Sequence, residues 1–283
     1  RTQRAHSVLV LLPDLANPFF SAILEGISRN LSQMGFSMLI ASTKQVQDSG
    51  EKLVDYLDDT RADGMIILDG GLDAEVVKSL EGAPQSNRVL FACEWIEGTN
   101  FPSVRCENRK GTRAAVNYLY DLGHRKIAHI TGPEGNVLML RRRDAFVAEM
   151  VKLKLELKPE WVIAGDFSLA AGCKSAKRWI ALEDRPTAVF CASDQLAMGF
   201  IAELSRHGFS VPEDVSVMGF DDIDLAEQFI PPLTTIRQNR IMIGETAAKM
   251  LMARIISPAI EHEVHNAVLP VSLVSRESTA ALL

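Results

Sequence analysis

Short β-rich apolar runs alternate with helix-period segments along almost the whole chain. Val8–Leu12, Ser37–Ala41, Gly64–Leu68 and Val89–Cys93 are such runs in the first part; Lys126–Thr131, Trp161–Ala164, Ala188–Cys191 and Val215–Phe220 follow in the second. After the first run, Phe20, Ile23, Leu24, Ile27, Leu31 and Met34 fall at helical spacing, the stripe of a helix packed on a sheet. Asn17 suits the N-cap of that helix, Pro18 its first position, and Gly35 its end. A second helix is predicted from Asn108 to Leu122, closed by Gly123, and Leu196, Phe200 and Leu204 mark a third before Gly208. Strands alternating with helices require a parallel sheet covered on both faces.

At 283 residues the chain is long for one domain and natural for two. Two doubly wound α/β domains are therefore expected, with no Pro/Gly/Ser linker between them. Their junction falls in Asn100–Glu107, where Ser103–Cys106 is itself strand-like. A helix, Ile241–Ile256, and a strand, Leu269–Val274, come after the second domain and must add to one of the sheets. Repeated crossings make a hinged clamshell holding a ligand in its cleft.

Several function classes are excluded or disfavoured. The net charge of −6 opposes nucleic-acid binding by this chain alone. Cys93, Cys106, Cys173 and Cys191 are widely spaced and read as reduced, mostly buried thiols, pointing to a cytoplasmic protein without a metal site. No apolar run reaches the roughly 20 residues of a membrane span. The N-terminal RTQRAHSVLVLLPD enters a strand directly, with no signal-peptide h-region. The dinucleotide, P-loop, nucleophile-elbow and zincin motifs are all missing, since Gly132-Pro133-Glu134-Gly135 lacks the required glycine spacing. His262 and His265 are close in sequence, but their charged surroundings favour a solvated surface over a metal site. Neither catalysis nor a cofactor is expected.

Ligand binding is better supported. The run Val215–Phe220 stops at Asp221-Asp222, and carboxylates at the C-terminal edge of a strand stand where open α/β sheets bind ligands. Pro231-Pro232 and Leu233–Ile236 then lead the chain away as an ordered crossover. Asp221 is the candidate contact and Asp222 its structural neighbour. Asp14, just past the first strand, is either an ordinary loop residue or an acceptor for a ligand hydroxyl. Phe20 belongs to the apolar stripe, whereas Phe19 lies off it and is expected to face the cleft, where its ring can stack on a base or sugar. Asp194 reads as a helix cap, leaving Ser193 to face the cleft. In Arg141-Arg142-Arg143 a solvated helix start is the ordinary reading, but a cation near a helix N-terminus opposes the dipole, which makes Arg142 a candidate clamp.

VSVMGFDD…PPLTTIRQ (Val215–Gln238) resembles the corresponding stretch of the LacI/GalR family of bacterial transcription regulators. LPDLANPFF (Leu12–Phe20), ADGMIIL (Ala62–Leu68), LGHRKIAHITGP (Leu122–Pro133), PTAVFCASDQLAMG (Pro186–Gly199) and LVSREST (Leu273–Thr279) extend the resemblance over essentially the whole chain. It implies the type I periplasmic-binding-protein fold: two Rossmann-like lobes with parallel sheets joined by three crossovers. The lobes are expected at residues 1–106 plus 240–268 and 107–236 plus 270–283. A DNA-binding headpiece precedes this core in the family; Arg1-Thr2-Gln3-Arg4 looks like the tail of its hinge, so the chain is expected to be the core alone. The resemblance places the effector pocket on Asp14, Phe19, Phe20, Cys93, Glu94, Arg142, Phe167, Ser193 and Asp221. Cys93-Glu94 and Ala145 depart from the family pattern.

CEW (Cys93–Trp95), AVNYLYDLGHRKI (Ala115–Ile127), GPE (Gly132–Glu134) and GFDDIDL (Gly219–Leu225) are similar to nucleoside-responsive members of the family. A nucleoside such as cytidine is the implied effector, although a sugar would use the same aromatic and carboxylate groups. The leading expectation is a repressor's effector-binding and dimerisation core, a homodimer touching operator DNA only through its headpiece. Met198, Ala202, Leu225 and Phe229 are the candidate dimer contacts, with core packing as the ordinary alternative. A periplasmic solute-binding protein shares the fold and is the second reading; an enzyme is the third.

Overall fold

The computed structural model describes residues 5–49, 52–58, 61–257 and 266–282. The hinge-like Arg1–Arg4 segment and the His262/His265 pair lie outside the described residues. The chain divides into two compact units, Arg1–Cys106 with Asn239–Leu269 and Glu107–Gln238 with Pro270–Leu283.

The first unit runs β1 (Ser7–Leu12), α1 (Phe19–Gln33), β2 (Ser37–Ser42), α2 (Thr43–Ser49), α3 (Leu53–Asp58), β3 (Gly64–Ile67), α4 (Ala74–Gly82), β4 (Val89–Ala92) and β5 (Ser103–Cys106). The second runs α5 (Asn108–Asp121), β6 (Ile127–Ile130), α6 (Val137–Lys152), β7 (Val162–Ile163), α7 (Leu169–Ile180), β8 (Ala188–Cys191), α8 (Asp194–Arg206), β9 (Ser216–Asp221), α9 (Leu225–Gln228) and β10 (Thr234–Gln238). α10 (Arg240–Ile256) and β11 (Asn266–Leu269) then return to the first unit, and β12 (Val271–Val274) closes the second.

The last strand corrects the sequence reading. Leu269–Val274 was expected to be one strand in one sheet, but it is two: β11 pairs parallel with β5, and β12 pairs antiparallel with β10. Pro270 lies between them, and a residue with fixed φ and no N–H cannot carry a ladder through. β10 also runs beyond the expected Ile236 to Gln238, which brings that amide to the strand end.

The first sheet has the order β11-β5-β4-β3-β1-β2 and the second β12-β10-β9-β8-β6-β7. Apart from β12, every described pairing is parallel. β1, β3 and β4 are buried along their whole length, as near-continuous apolar runs covered on both faces must be. In the second unit, Val116 and Leu119 of α5 and Phe146 and Met150 of α6 pack against Phe190, Met218, Phe220 and Ile236 of the sheet. Winding reverses between β1 and β3 in one sheet and between β6 and β8 in the other. In this fold the crevices beyond those strand ends are where ligands bind.

Helices α1 and α8 are both capped by side chains that precede them. The Asn17 side chain accepts the Phe19 N–H at 2.9 Å, as an N-cap does, and Pro18 already has helical φ and ψ. Asp194, by contrast, is not the cap of α8. Ser193 is: its hydroxyl accepts the Leu196 N–H at 3.2 Å, and Asp194 is the first residue of the helix proper.

Candidate functional site

In the first unit the predicted residues do gather at strand ends, but much of their polarity is used locally. Asp14, two residues past β1, is exposed, and its Oδ1 accepts the Ala16 N–H at 2.8 Å. Phe19 was expected to stand apart from the apolar stripe. It is instead almost as buried as Phe20, at 8% against 5% exposure, with ring centroids 5.2 Å apart in an edge-to-face pair. Cys93 is buried with φ 67° immediately after β4. The turn delivers Glu94 toward the end of β3, where its Oε2 accepts the Gly70 N–H at 2.7 Å. Asp69, which sequence reasoning missed, lies at the same edge: it accepts the Thr43 hydroxyl at 2.5 Å and the Gly71 N–H at 2.8 Å. Its position directly after an apolar strand run was the available signal, the same one that singled out Asp221.

In the second unit the structure assembles a tighter cluster. Arg142 of α6 is only 1% exposed. Its Nε donates to Asn108 Oδ1 at 2.9 Å, Nη1 donates to the Ala192 carbonyl, and its guanidinium carbon lies 3.7 Å from the Phe220 ring centroid. Asp221 Oδ1 is 3.9 Å from Nη1 and accepts Gln238 Nε2 at 2.7 Å. Arg142 and Asp221 are thus brought together as buried partners, and Asn108 and Gln238 join them without having been foreseen.

The strand end itself is strained. Asp221 and Asp222 have φ of 124° and 56°, values that non-glycine residues rarely adopt. Asp222 accepts from Arg237 Nε at 2.6 Å and Arg276 Nη2 at 2.7 Å, in keeping with its reading as a structural neighbour. Phe167 also has positive φ, 65°, and its half-buried ring fills the space where a side chain on Gly132 would be. The Ser193 hydroxyl caps α8 and donates to the Phe167 carbonyl at 3.4 Å, so it serves the backbone. Beneath this edge, burial and then the negative charge of Asp221 raise the Asp194 carboxyl well above the usual carboxylate range.

This arrangement offers donors from Arg142, Asn108 and Gln238 and an acceptor at Asp221, with aromatic surface nearby. Such a set pairs with hydroxyl and amide groups. Among the described residues no cluster of His, Cys, Asp or Glu could hold a metal ion. Nor, among the same described residues, is any helix long and apolar enough to cross a membrane. Met198, expected at a dimer contact, is only 2% exposed because it lies on a buried face of α8. Ala202 and Phe229 are half-buried and Leu225 is 54% exposed.

Two doubly wound sheets with polar groups at their carboxyl edges define a ligand-binding protein of the periplasmic-binding-protein type, and residues 116–279 match the periplasmic binding protein-like domain family. The chain belongs to the LacI family of transcriptional regulators and is its ligand-responsive, effector-binding core. It is 34% identical over 252 residues to the HTH-type transcriptional repressor CytR of Escherichia coli strain K12, covering 89% of this chain and 73% of that protein. It is 30% identical over 247 residues to the HTH-type transcriptional repressor PurR of Vibrio cholerae serotype O1 strain M66-2, covering 87% and 73%. A LacI family transcriptional regulator from Enterococcus faecium, solved with bound ribose, superposes with a TM-score of 0.86 at 28% identity, covering 98% of this chain and 100% of that one. These relatives are regulators, and none is an enzyme.

Proposed function

We propose that this core senses a nucleoside, cytidine being the first candidate, and in response alters operator binding by a DNA-binding headpiece in the cytoplasm. The supporting observation is the buried Arg142–Asn108–Asp221–Gln238 cluster, whose donors and acceptor match the hydroxyls of a ribose ring. A relative of this fold holds ribose, the part that a nucleoside shares with a free sugar. Phe167, half-buried in the second unit, is the candidate ring for stacking on the base. Asp14, Phe19, Phe20, Cys93 and Glu94 are the further candidates on the first unit's own strand edge, and Ser193 on the second's. A free sugar is the second reading, because the same relative favours it directly.

The core also assembles as a homodimer in this proposal. Leu225 at 54% exposure and Ile230 at 88% are exposed apolar side chains flanking half-buried Phe229, and a second copy would cover them; half-buried Ala202 and buried Met198 are the further candidates. No chemical step is assigned to the site.

Calorimetric titration with cytidine, uridine, adenosine, ribose and glucose tests the effector class. Cytidine should bind more tightly than ribose, and Asp221→Ala should weaken that binding by about tenfold or more. Heat with ribose or glucose and none with any nucleoside would transfer the site to sugars. Sedimentation should show a dimer that Leu225→Asp disrupts; a strict monomer at every concentration would remove the dimer.

A further inference from the structure

The Asp194 carboxylate is completely buried, yet the helix it opens is already capped by Ser193. Its oxygens go elsewhere. Oδ2 accepts the Ile223 N–H at 2.8 Å, and Oδ1 lies 2.5 Å from the Thr235 hydroxyl on β10. Ile223 follows directly on Asp221 and Asp222, the two residues with positive φ that carry the chain out of β9. Thr235 stands beside Gly219 in the β9–β10 register. A Cβ at Gly219 would fall 2.2 Å from Asp194 Oδ1, so the bare glycine is what admits the carboxylate. One side chain therefore grips the far side of a strained turn and the strand next to it.

We propose that Asp194 is a positioning residue for effector recognition: by holding Ile223 against Thr235 it fixes the Asp221–Asp222 turn, and with it the direction of the Asp221 carboxylate. This rests on the reading of Asp221 as an effector contact. Strained backbone persists only where surrounding contacts over-determine it, and Asp194 supplies two of them at the point where the turn ends. Burial raises its carboxyl, as does the charge of Asp221, so a neutral side chain of the same shape can stand in for it. In Asp194→Asn the amide oxygen accepts from Ile223 while the nitrogen donates to the Thr235 hydroxyl. Asp194→Ala provides neither contact.

The test compares wild type, Asp194→Asn, Asp194→Ala and Thr235→Val by amide hydrogen exchange and by titration with cytidine and with ribose. In the ligand-free protein, Asp194→Ala should speed exchange at the Ile223 amide by about tenfold or more and shift the Asp221 and Asp222 resonances. The Met218 amide, inside β9, should stay as in wild type, and Asp194→Asn should remain within about threefold at every site. Affinity for whichever probe the wild type binds should fall by about tenfold in Asp194→Ala and recover in Asp194→Asn. Should Asp194→Ala not fold, Thr235→Val carries the test with the same direction at Ile223. Unchanged Ile223 exchange and Asp221 resonances overturn the proposal whatever ligand binds. Full affinity in Asp194→Ala beside a loss in Asp221→Ala overturns this inference alone, whereas full affinity in Asp221→Ala removes the effector reading itself.

Discussion

The guanidinium of Arg142 lies 3.7 Å from the centre of the Phe220 ring, directly before the residue that carries the neighbouring carboxylate. In a regular strand Phe220 and Asp221 would point to opposite faces. The φ of 124° at Asp221 takes its side chain out of that alternation, and one arginine meets both. A planar cation that stacks, forks to Asn108 and Ala192, and faces a carboxylate is a demand that lysine does not meet.

Replacing Arg142 should therefore cost both stability and recognition. Arg142→Lys keeps the charge but loses the fork, and a loss of about 2 kcal/mol in urea denaturation is expected. Arg142→Ala withdraws a buried guanidinium from Asp221, Asn108 and the Ala192 carbonyl together, for which about 3–5 kcal/mol is expected. A lysine variant as stable as wild type would show that charge alone matters here.

Asp194→Asn should change how stability depends on pH. Burial, reinforced by Asp221, raises the folded-state pKa of Asp194 well above its ordinary value of 3.8. Below that value the side chain is protonated in both folded and unfolded chains, and the stabilisation is complete. As pH rises, the unfolded chain gives up its proton first, so wild-type stability declines until the folded side chain ionises too. Asparagine has no proton to lose. The variant should gain on wild type as pH is raised from 4 toward 8 in denaturant titrations, and a constant difference would mean that Asp194 ionises normally.

The alternation of strands and helices was legible because burial on both sheet faces writes itself into continuous apolar runs. Asp221 was legible for a related reason: a carboxylate ending such a run has few local partners. Asn108 and Gln238 were not, since each becomes part of the cluster only through contacts with distant residues, Arg142 and Asp221. The burial of Phe19 was not legible, because helical periodicity describes regular turns, whereas its place at the first turn of α1 lets it pack on Phe20. Asp194 misled because a cap and its neighbour are both polar residues at a helix start, and only geometry tells which oxygen meets the helix N–H groups.

His129 should make the second unit sensitive to acid. It lies between Phe146 and Phe190, with ring centroids 4.9 Å from each, and shares a 2.9 Å hydrogen bond with the Phe190 carbonyl. Burial lowers its pKa from 6.5 to about 4, against the raising effect of that carbonyl and with help from Arg142 and Arg143. The stabilisation is present above pH 6.5, where both states are neutral, and is lost as pH falls toward 4 and the unfolded imidazole takes up a proton. The full span corresponds to about 3 kcal/mol. His129→Phe should cost about 1 kcal/mol at neutral pH through the lost hydrogen bond, yet flatten this acid slope. Identical slopes for variant and wild type between pH 7 and 5 would sink the assignment.

Gly132→Ala tests whether the Phe167 ring must sit where it does. A Cβ at Gly132 would meet the ring at 2.1 Å from Cζ and 2.3 Å from Cε1, so the ring has to leave. Phe167 is held by a backbone φ of 65° and cannot simply pivot about an ordinary loop. Overpacking of this kind costs about 1–3 kcal/mol, and effector affinity should fall with the displaced ring. Shrinking the partner removes the clash: in the background of Phe167→Ala, adding Gly132→Ala should cost little further stability, a coupling of about 1 kcal/mol or more. The two losses adding in full would mean that the glycine is required by its own backbone and not by the ring. Affinity separates the roles further, because a stacking ring predicts that the double variant still binds cytidine weakly even where Gly132→Ala adds no further loss of stability.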